Sequence, residues 1–342
     1  MATIPTIPDI PYGADASGLI CGFQFGANGR GEAIGVDQAL QWLAAHRAQP
    51  DTGFVWLHFN LAHAATEKWL REHVQLSNVF HESLKDGSRS TRVELDDDTL
   101  VAVVNDVHYD FAFEPSDIST MWLSVGPHLV VSARLQPLRS IDRLRDAVKK
   151  GTTLRSSVEL LVHLMHDQGD VLVNIVRATT AKVDDIEDHL LAGRLEKKRA
   201  GLGALRRLLV RLQRLLAPEP AALFRLLKLP PEWMGDEDLE DLRQSTEEFN
   251  VALSDMAALQ ERIKLLQEEI AGRVAEANNR SLFVLTIVTV LALPINIIAG
   301  LLGMNVGGIP LADHPHGFWI VVAIIMTFTL VAGWLAFKRP RD

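Results

Sequence analysis

Two uncharged, almost wholly apolar runs lie toward the C-terminal end of the sequence. The first, Ser281 to Leu302, is 22 residues long, enough for a helix rising about 1.5 Å per residue to cross a hydrocarbon core of roughly 30 Å. The second, Gly317 to Phe337, is 21 residues long. Upstream the pattern changes from continuous to periodic. Leu242, Phe249, Met256, Ile263 and Ile270 recur every seven residues, and Ala252, Leu259 and Leu266 follow three residues after three of them. That spacing predicts a coiled-coil-like seam in need of partner helices. No Pro or Gly interrupts Asp236 to Ala271, and Gly272 is the only such residue before Pro294. One helix is therefore expected from about residue 236 to 302, on the order of 100 Å long.

Residues 19–134 mix short β-rich runs with helical ones: 19–25, 54–61, 100–106, 119–125 and 128–135 read as strands, and 62–84 as helical. Strands interrupted by helices predict a sheet with helices packed on it. From Pro137 the pattern is helical: 137–151 has a Pro start and a Gly stop, a longer amphipathic helix closes at Gly193, and a basic amphipathic helix ends at Pro218. The arginines of this last helix suit either a membrane surface or acidic partners on neighbouring helices.

The 342 residues, 48% hydrophobic with net charge −9, allow one sizeable folded domain plus a membrane part and argue against a nucleic-acid partner. The first residues, MATIPTIPDIPYG, have neither a basic start nor an apolar core, so no cleavable signal is expected. Cys21 is the single cysteine, which excludes an internal disulfide and a thiolate-cluster metal site. Arg273 and Arg280 precede the first apolar run, Lys338, Arg339 and Arg341 follow the second, and residues 303–316 hold no Lys or Arg. Basic flanks stay on the cytoplasmic side, so both termini are expected inside and the connecting loop outside.

Gly303-Met304-Asn305 closes the first run, and with two terminal spans and a long charged helix before it the sequence resembles the CorA-type divalent-cation transporters. The continuation Val306-Gly307-Gly308-Ile309-Pro310 is more similar to the zinc-transporting ZntB branch than to the magnesium branch, which typically has an aromatic residue after Asn and a Met-Pro-Glu turn. The resemblance implies an αβα sandwich in the soluble part, a pentamer, and zinc uptake aided by a proton gradient. It makes Gly303, Met304 and Asn305 the expected selectivity filter. A ring of Asn305 amide oxygens would accept hydrogen bonds from the water shell of a cation; the alternative is a helix cap.

Counting back from Asn305 by helical steps gives Gly300, Asn296, Leu293, Thr289, Leu285, Leu282 and Asn279 on roughly one face, a candidate pore lining of polar and leucine belts. The leucines would constrict by dewetting or simply pack, and Asn296 would line the pore or bond a carbonyl freed by Pro294. One lining helix per chain cannot enclose a pore, so a ring of subunits is required. Asp241, Glu248, Asp255, Glu269 and Glu276 share a heptad position that Arg262 interrupts, with Glu240, Glu247, Glu261 and Glu268 beside it. Multiplied around an axis they would form a cation-concentrating vestibule; alone they are a solvated helix face.

Asp313, His314 and His316 offer imidazole ligands that suit Zn²⁺ better than Mg²⁺, or are interfacial polar tips. They are also the only Asp and His residues in 281–337, which contains no Lys, Arg or Glu, so neither span offers a buried proton relay. His163, His166, Asp167 and Asp170 fall at i, i+3, i+4 and i+7, a candidate cytoplasmic zinc site or an ordinary polar face, as is the cluster Asp184, Asp185, Glu187, Asp188 and His189. No nucleophile elbow, phosphate loop or dinucleotide fingerprint is present, so no enzyme and no cofactor are expected.

The expected organisation is an α/β cytoplasmic domain (1–136), a cytoplasmic helical arm (137–231), a stalk helix (232–280), a first span (281–302), an outer loop (303–316), a second span (317–337) and a basic tail (338–342). The expected function is zinc transport across the inner membrane by a funnel-shaped homopentamer embedded in lipid. Alternatives are a Mg²⁺/Co²⁺ channel, zinc efflux, or a membrane-anchored metal-sensing scaffold.

Overall fold

The computed structural model describes residues 14–46, 53–86, 91–114, 116–191, 199–304 and 314–338. It divides into two compact units, Met1–Leu266 and Gln267–Asp342.

The first unit is built on a seven-stranded sheet. Its strands are β1 (Leu19–Phe25), β2 (Gly31–Ala33), β3 (Phe54–Asn60), β4 (Arg92–Asp96), β5 (Thr99–Val107), β6 (Ile118–Val125) and β7 (Leu129–Arg134), ordered β2-β1-β3-β7-β6-β5-β4. Only the pair β3 and β7 is parallel; the other neighbours run antiparallel. The five long strands are where the sequence places them, and they read as mostly apolar runs rather than as alternating ones because both faces of the sheet are covered. On one face Val55, Leu57, Phe59, Val103 and Trp122 pack with Ala39 of α1 (Val36–His46), Leu70 of α2 (Thr66–His73) and Phe80 of α3 (Asn78–Lys85). On the other, Phe25, Trp56, Ala102 and Leu123 pack with Leu144 of α4 (Arg139–Lys149), Leu161 and Leu164 of α5 (Ser157–Leu191), and Leu223 of α7 (Pro218–Lys228). The result is the αβα sandwich that the resemblance implies.

Four elements escape the apolar pattern. Strand β2 is three residues long. Strand β4 is an edge strand whose Glu94 and Asp96 break the alternation, and its hairpin to β5 turns on Asp97 and Asp98 at φ 44° and 61°, the left-handed pair of a type I′ turn. Helix α1 follows directly on β2. Helix α7 begins at Pro218, which reads as the stop of the preceding α6 (Arg199–Leu216) but sits at N1, where no N–H is needed. The 62–84 stretch is two short helices rather than one.

Two buried polar arrangements brace the sheet. Arg134 Nε donates to His58 Nε2 at 3.1 Å, so Nδ1 carries the proton and donates to Ser132 Oγ at 2.8 Å, which also accepts from Trp56 Nε1. Burial first, and then the Arg134 charge, hold His58 well below the usual imidazole range. At the end of β5, the Asp106 carboxylate accepts the backbone N–H of Ser140 at 2.8 Å and of Val107 at 2.7 Å. It thereby satisfies an otherwise orphan donor in the first turn of α4. Burial pushes Asp106 up to about 6, with these hydrogen bonds opposing.

A single helix, α8, runs from Asp236 to Leu302 with Pro294 inside it, as the sequence predicts. The partner helices that its heptad seam requires lie within the same chain. Leu242, Phe249, Met256 and Ile263 are fully buried within one chain. The Phe249 ring lies over Gly169 of α5, where an added Cβ would meet Cδ2 at 3.8 Å, and it shares its surroundings with Val171, Leu172, Leu212 and Leu216 of α5 and α6. Gln260 donates to Gln213 of α6 at 2.8 Å. The partners of the seam are the chain's own helices, so this face is not free to join subunits.

Candidate functional site

The second unit contains the last part of α8 and α9 (Gly317–Lys338). Both helices include segments long and apolar enough to cross a membrane. Within the single chain, Asn279, Leu282, Leu285, Thr289, Leu293, Asn296 and Gly300 are all exposed, and so are many apolar neighbours on other sides of the helix. Such surface requires lipid or further helices to cover it. Thr289 Oγ1 donates to the Leu285 carbonyl at 2.9 Å, and Thr286 Oγ1 to that of Leu282 at 2.8 Å. Their hydroxyl protons are thus used inside the helix, leaving the oxygen lone pairs outward as acceptors, the polarity a cation's water shell needs.

Gly303 N–H bonds the Ala299 carbonyl at 2.9 Å, and a Cβ added there would stand 3.0 Å from the same oxygen. The glycine thus lets the last turn close tightly before the chain leaves the helix. Met304 is exposed. Asn305 and Asp313 lie outside the described residues. His314 has a local role: its Nδ1 accepts the backbone N–H of His316 at 3.2 Å, while its carbonyl accepts from Gly317. The two rings stand 6.1 Å apart. His314 therefore caps the turn that starts α9, and in this arrangement Nδ1 is occupied and Nε2 carries the proton.

The helical face of His163, His166, Asp167 and Asp170 is not gathered into a ligand set. Arg143 of α4 bonds Asp167 at 3.2 Å and Asp170 at 3.0 Å, His163 Nδ1 is 3.3 Å from Asp167, and His166 turns to Glu248 of α8 at 3.5 Å. Hydrogen bonding to Asp167 raises His163 above the usual imidazole range, which favours an ion pair rather than a neutral ligand. Among the described residues no group of three or more His, Cys, Asp or Glu side chains is placed to hold a metal.

The acidic column proves to be partly an edge between helices. Asp241 is 3.3 Å and Glu237 2.7 Å from Arg155 at the start of α5, and Glu248 meets His166. Arg262, which interrupts the series, pairs with Asp184 at 2.7 Å and with Glu187, both near the end of α5. The break in the column and the acidic cluster of α5 are one feature, invisible to a reading that takes each helix alone. Asp255 and Glu276 are exposed, and Glu269 pairs with Arg273 one turn on at 2.6 Å.

Residues 51–339 match the family described as CorA-like Mg²⁺ transporter protein. The divalent cation transporter CmaX of Pseudomonas aeruginosa is 28% identical over 96% of this chain and 97% of its own. The zinc transport protein ZntB of Yersinia pseudotuberculosis is 26% identical over 95% and 96%. Among solved structures, full-length CmaX superposes with a TM-score of 0.79 over 95% of this chain and 98% of its own. The complete CorA magnesium transporter of Methanocaldococcus jannaschii, 18% identical, shares the fold with a TM-score of 0.75 over 94% of this chain and 98% of its own. With the αβα sandwich, the single long helix and two terminal apolar helices in place, and the match covering most of its length, the chain belongs to the CorA-like Mg²⁺ transporter protein family.

Proposed function

We propose that this protein is a divalent-cation transporter of the inner membrane that carries Zn²⁺ inward through the centre of a homopentamer, with both termini in the cytoplasm. The observation that carries the reading is Gly303 closing the final turn of a 67-residue helix immediately before Asn305, with a second apolar helix after it. In this reading Asn279, Leu282, Leu285, Thr289, Leu293, Asn296 and Gly300 line the pore. A ring of Asn305 amides selects a hydrated ion at its outer end, with Gly303 and Met304 shaping the approach. Asp255, Glu269 and Glu276 contribute negative potential below it. Similarity to proteins named for zinc transport, and the imidazole of His316 at the head of α9, support zinc.

The competing ion is Mg²⁺, which the family description and the magnesium transporter of the same fold support. Radiolabelled zinc uptake into proteoliposomes tests the proposal. Saturable uptake that a tenfold excess of Mg²⁺ leaves intact is expected, Mg²⁺-suppressed uptake assigns the pore to magnesium, and absent flux of either ion overturns the transport reading.

A further inference from the structure

Helix α7 is fastened on both sides to the β4–β5 hairpin and the residue that leads into it. Before α7, the Leu215 carbonyl at the end of α6 accepts the Thr91 hydroxyl at 2.6 Å, and Thr91 Oγ1 accepts from Asn105 Nδ2 at 2.9 Å. After it, Trp233 Nε1 donates to the Asp98 carbonyl at 2.6 Å, just ahead of the start of α8 at Asp236. Between these anchors the 11 residues of α7 lie against β4 and bury Ala222, Leu223 and Leu226. A helix so short does not keep its shape alone, so its docking and its helical order go together.

Under this helix Glu219 is 1% exposed, and its Oε2 has no hydrogen-bond partner among the described residues. It opens on a small cavity walled by Val93, Val104, Leu164, Met165 and Gln168. Gln168 is the other polar residue of that wall, and its Nε2 is occupied by the Asn105 carbonyl at 2.9 Å. The charge that reaches Glu219 is that of Asp106 on β5, a like charge. Arg92 and Glu94 flank Val93 on β4 and so project to the opposite face. Strand β6 has no charged residue. On α5, His163 lies against Asp167, which Arg143 holds. Arg214 of α6 and Arg225 and Lys228 of α7 are exposed. An ionised Glu219 would therefore be a buried charge with no cation and no donor, a far costlier state than the neutral acid.

We propose that α7 is a proton-operated strap: it lies docked on the sheet while Glu219 carries a proton, and it lifts between its two anchors to hydrate the carboxylate when that proton is lost. Burial, and then the Asp106 charge, push the docked Glu219 up to about 8, whereas a lifted, hydrated Glu219 titrates near the ordinary 4.5. Lifting therefore gains about tenfold per pH unit between those two values and levels off above the higher one. Acid holds the strap down, and pH rising toward 8 loosens it. Because Trp233 ties the far end of the strap just ahead of Asp236, the motion acts at the root of α8.

The test is hydrogen exchange read by mass spectrometry on the full chain in detergent, with exchange times scaled for the intrinsic pH dependence of amide exchange. Between about pH 6 and about pH 8, the peptide over residues 218–228 is expected to lose protection at least tenfold in the wild type and less than twofold in Glu219→Gln, while peptides of α1 stay unchanged in both. Asp106→Asn keeps an acceptor for the Ser140 N–H but removes the like charge, so its loss of protection should level off at a lower pH than in the wild type. Wild-type protection of α7 that ignores pH, a Glu219→Gln variant that loses as much, or a loss spread evenly over the sheet and α5 each overturns the strap. Should Glu219→Gln fail to fold, the Asp106→Asn profile decides: a plateau at the wild-type pH overturns the proposal.

Discussion

The guanidinium of Arg262 on α8 stands 2.7 Å from the Asp184 carboxylate of α5 and also bonds Glu187, so one stalk residue holds two successive turns on one face of the neighbouring helix end. All three side chains are more than a third exposed, and such pairs are worth about 0–1 kcal/mol each. Arg262→Ala should lower stability by about 1 kcal/mol at low salt and by less in 1 M salt. Faster amide exchange confined to the last two turns of α5 would be the local sign; uniform exchange along α5 would show that the pair fastens nothing.

Gly169 lies in the interior of α5 beneath Phe249, with room for one methyl group at ordinary contact distance. Gly costs a helix interior roughly 0.5–1 kcal/mol relative to Ala. Gly169→Ala should therefore raise stability by about that amount, whereas Gly169→Leu, which drives into the ring, should lower it by about 1–3 kcal/mol. Thermal unfolding of the two variants checks both signs.

Glu219, in the first turn of α7, is buried in a pocket lined by Val93, Leu164, Leu223 and Gln168, and its Oε2 has no hydrogen-bond partner among the described residues. Burial, and then the charge of Asp106, push it up to about 8 from an ordinary 4.5. Asp106, pushed up to about 6, ionises first and so acts on Glu219 as a like charge. A carboxyl raised in the folded state contributes no penalty below about 4.5 and loses stability as pH rises through about 8. The full loss is on the order of 5 kcal/mol. Glu219→Gln should remove this slope, leaving the two proteins similar at pH 4.5 and the variant more stable at pH 8.5. Parallel curves of unfolding free energy against pH would refute it.

For transport, Asn305→Ala should abolish flux with the oligomer intact, since acceptors for the ion's water shell disappear while little packing is lost. Leu293→Asn should raise resting leak by making a dry belt wettable. Proteoliposome flux of both variants separates a filter from a turn residue and a gate from lipid packing.

The long helix and the terminal apolar segments were legible in the sequence because each is many residues of one unbroken pattern, as were strands such as β3, apolar but for His58 and Asn60. The edge strand β4 and helix α7 were not. A strand with charges on its open side and a helix that starts on proline both imitate loops, and only pairing with β5 or docking on the sheet defines them. The heptad seam was legible but its partners were not, since periodicity reports that Phe249 is covered and not by what. Likewise the spacing of His163, His166, Asp167 and Asp170 places them on one helical face but is blind to Arg143, which reaches that face from α4 and takes two of the carboxylates.

The carboxylate of Asp106 ties the start of α4 to the sheet. Helix α4 begins with Leu138 in extended conformation and no side-chain cap of its own, so the acceptor for the Ser140 N–H comes from β5, 34 residues earlier. The start of this helix is thus conditional on a strand that itself needs β6 and β4 alongside. Order in α4 should arrive after the sheet has closed, late in folding, where loop closure between distant segments sets the pace. Removing that one carboxylate would then act mainly by hastening unfolding, with little effect on the rate at which the sheet first forms.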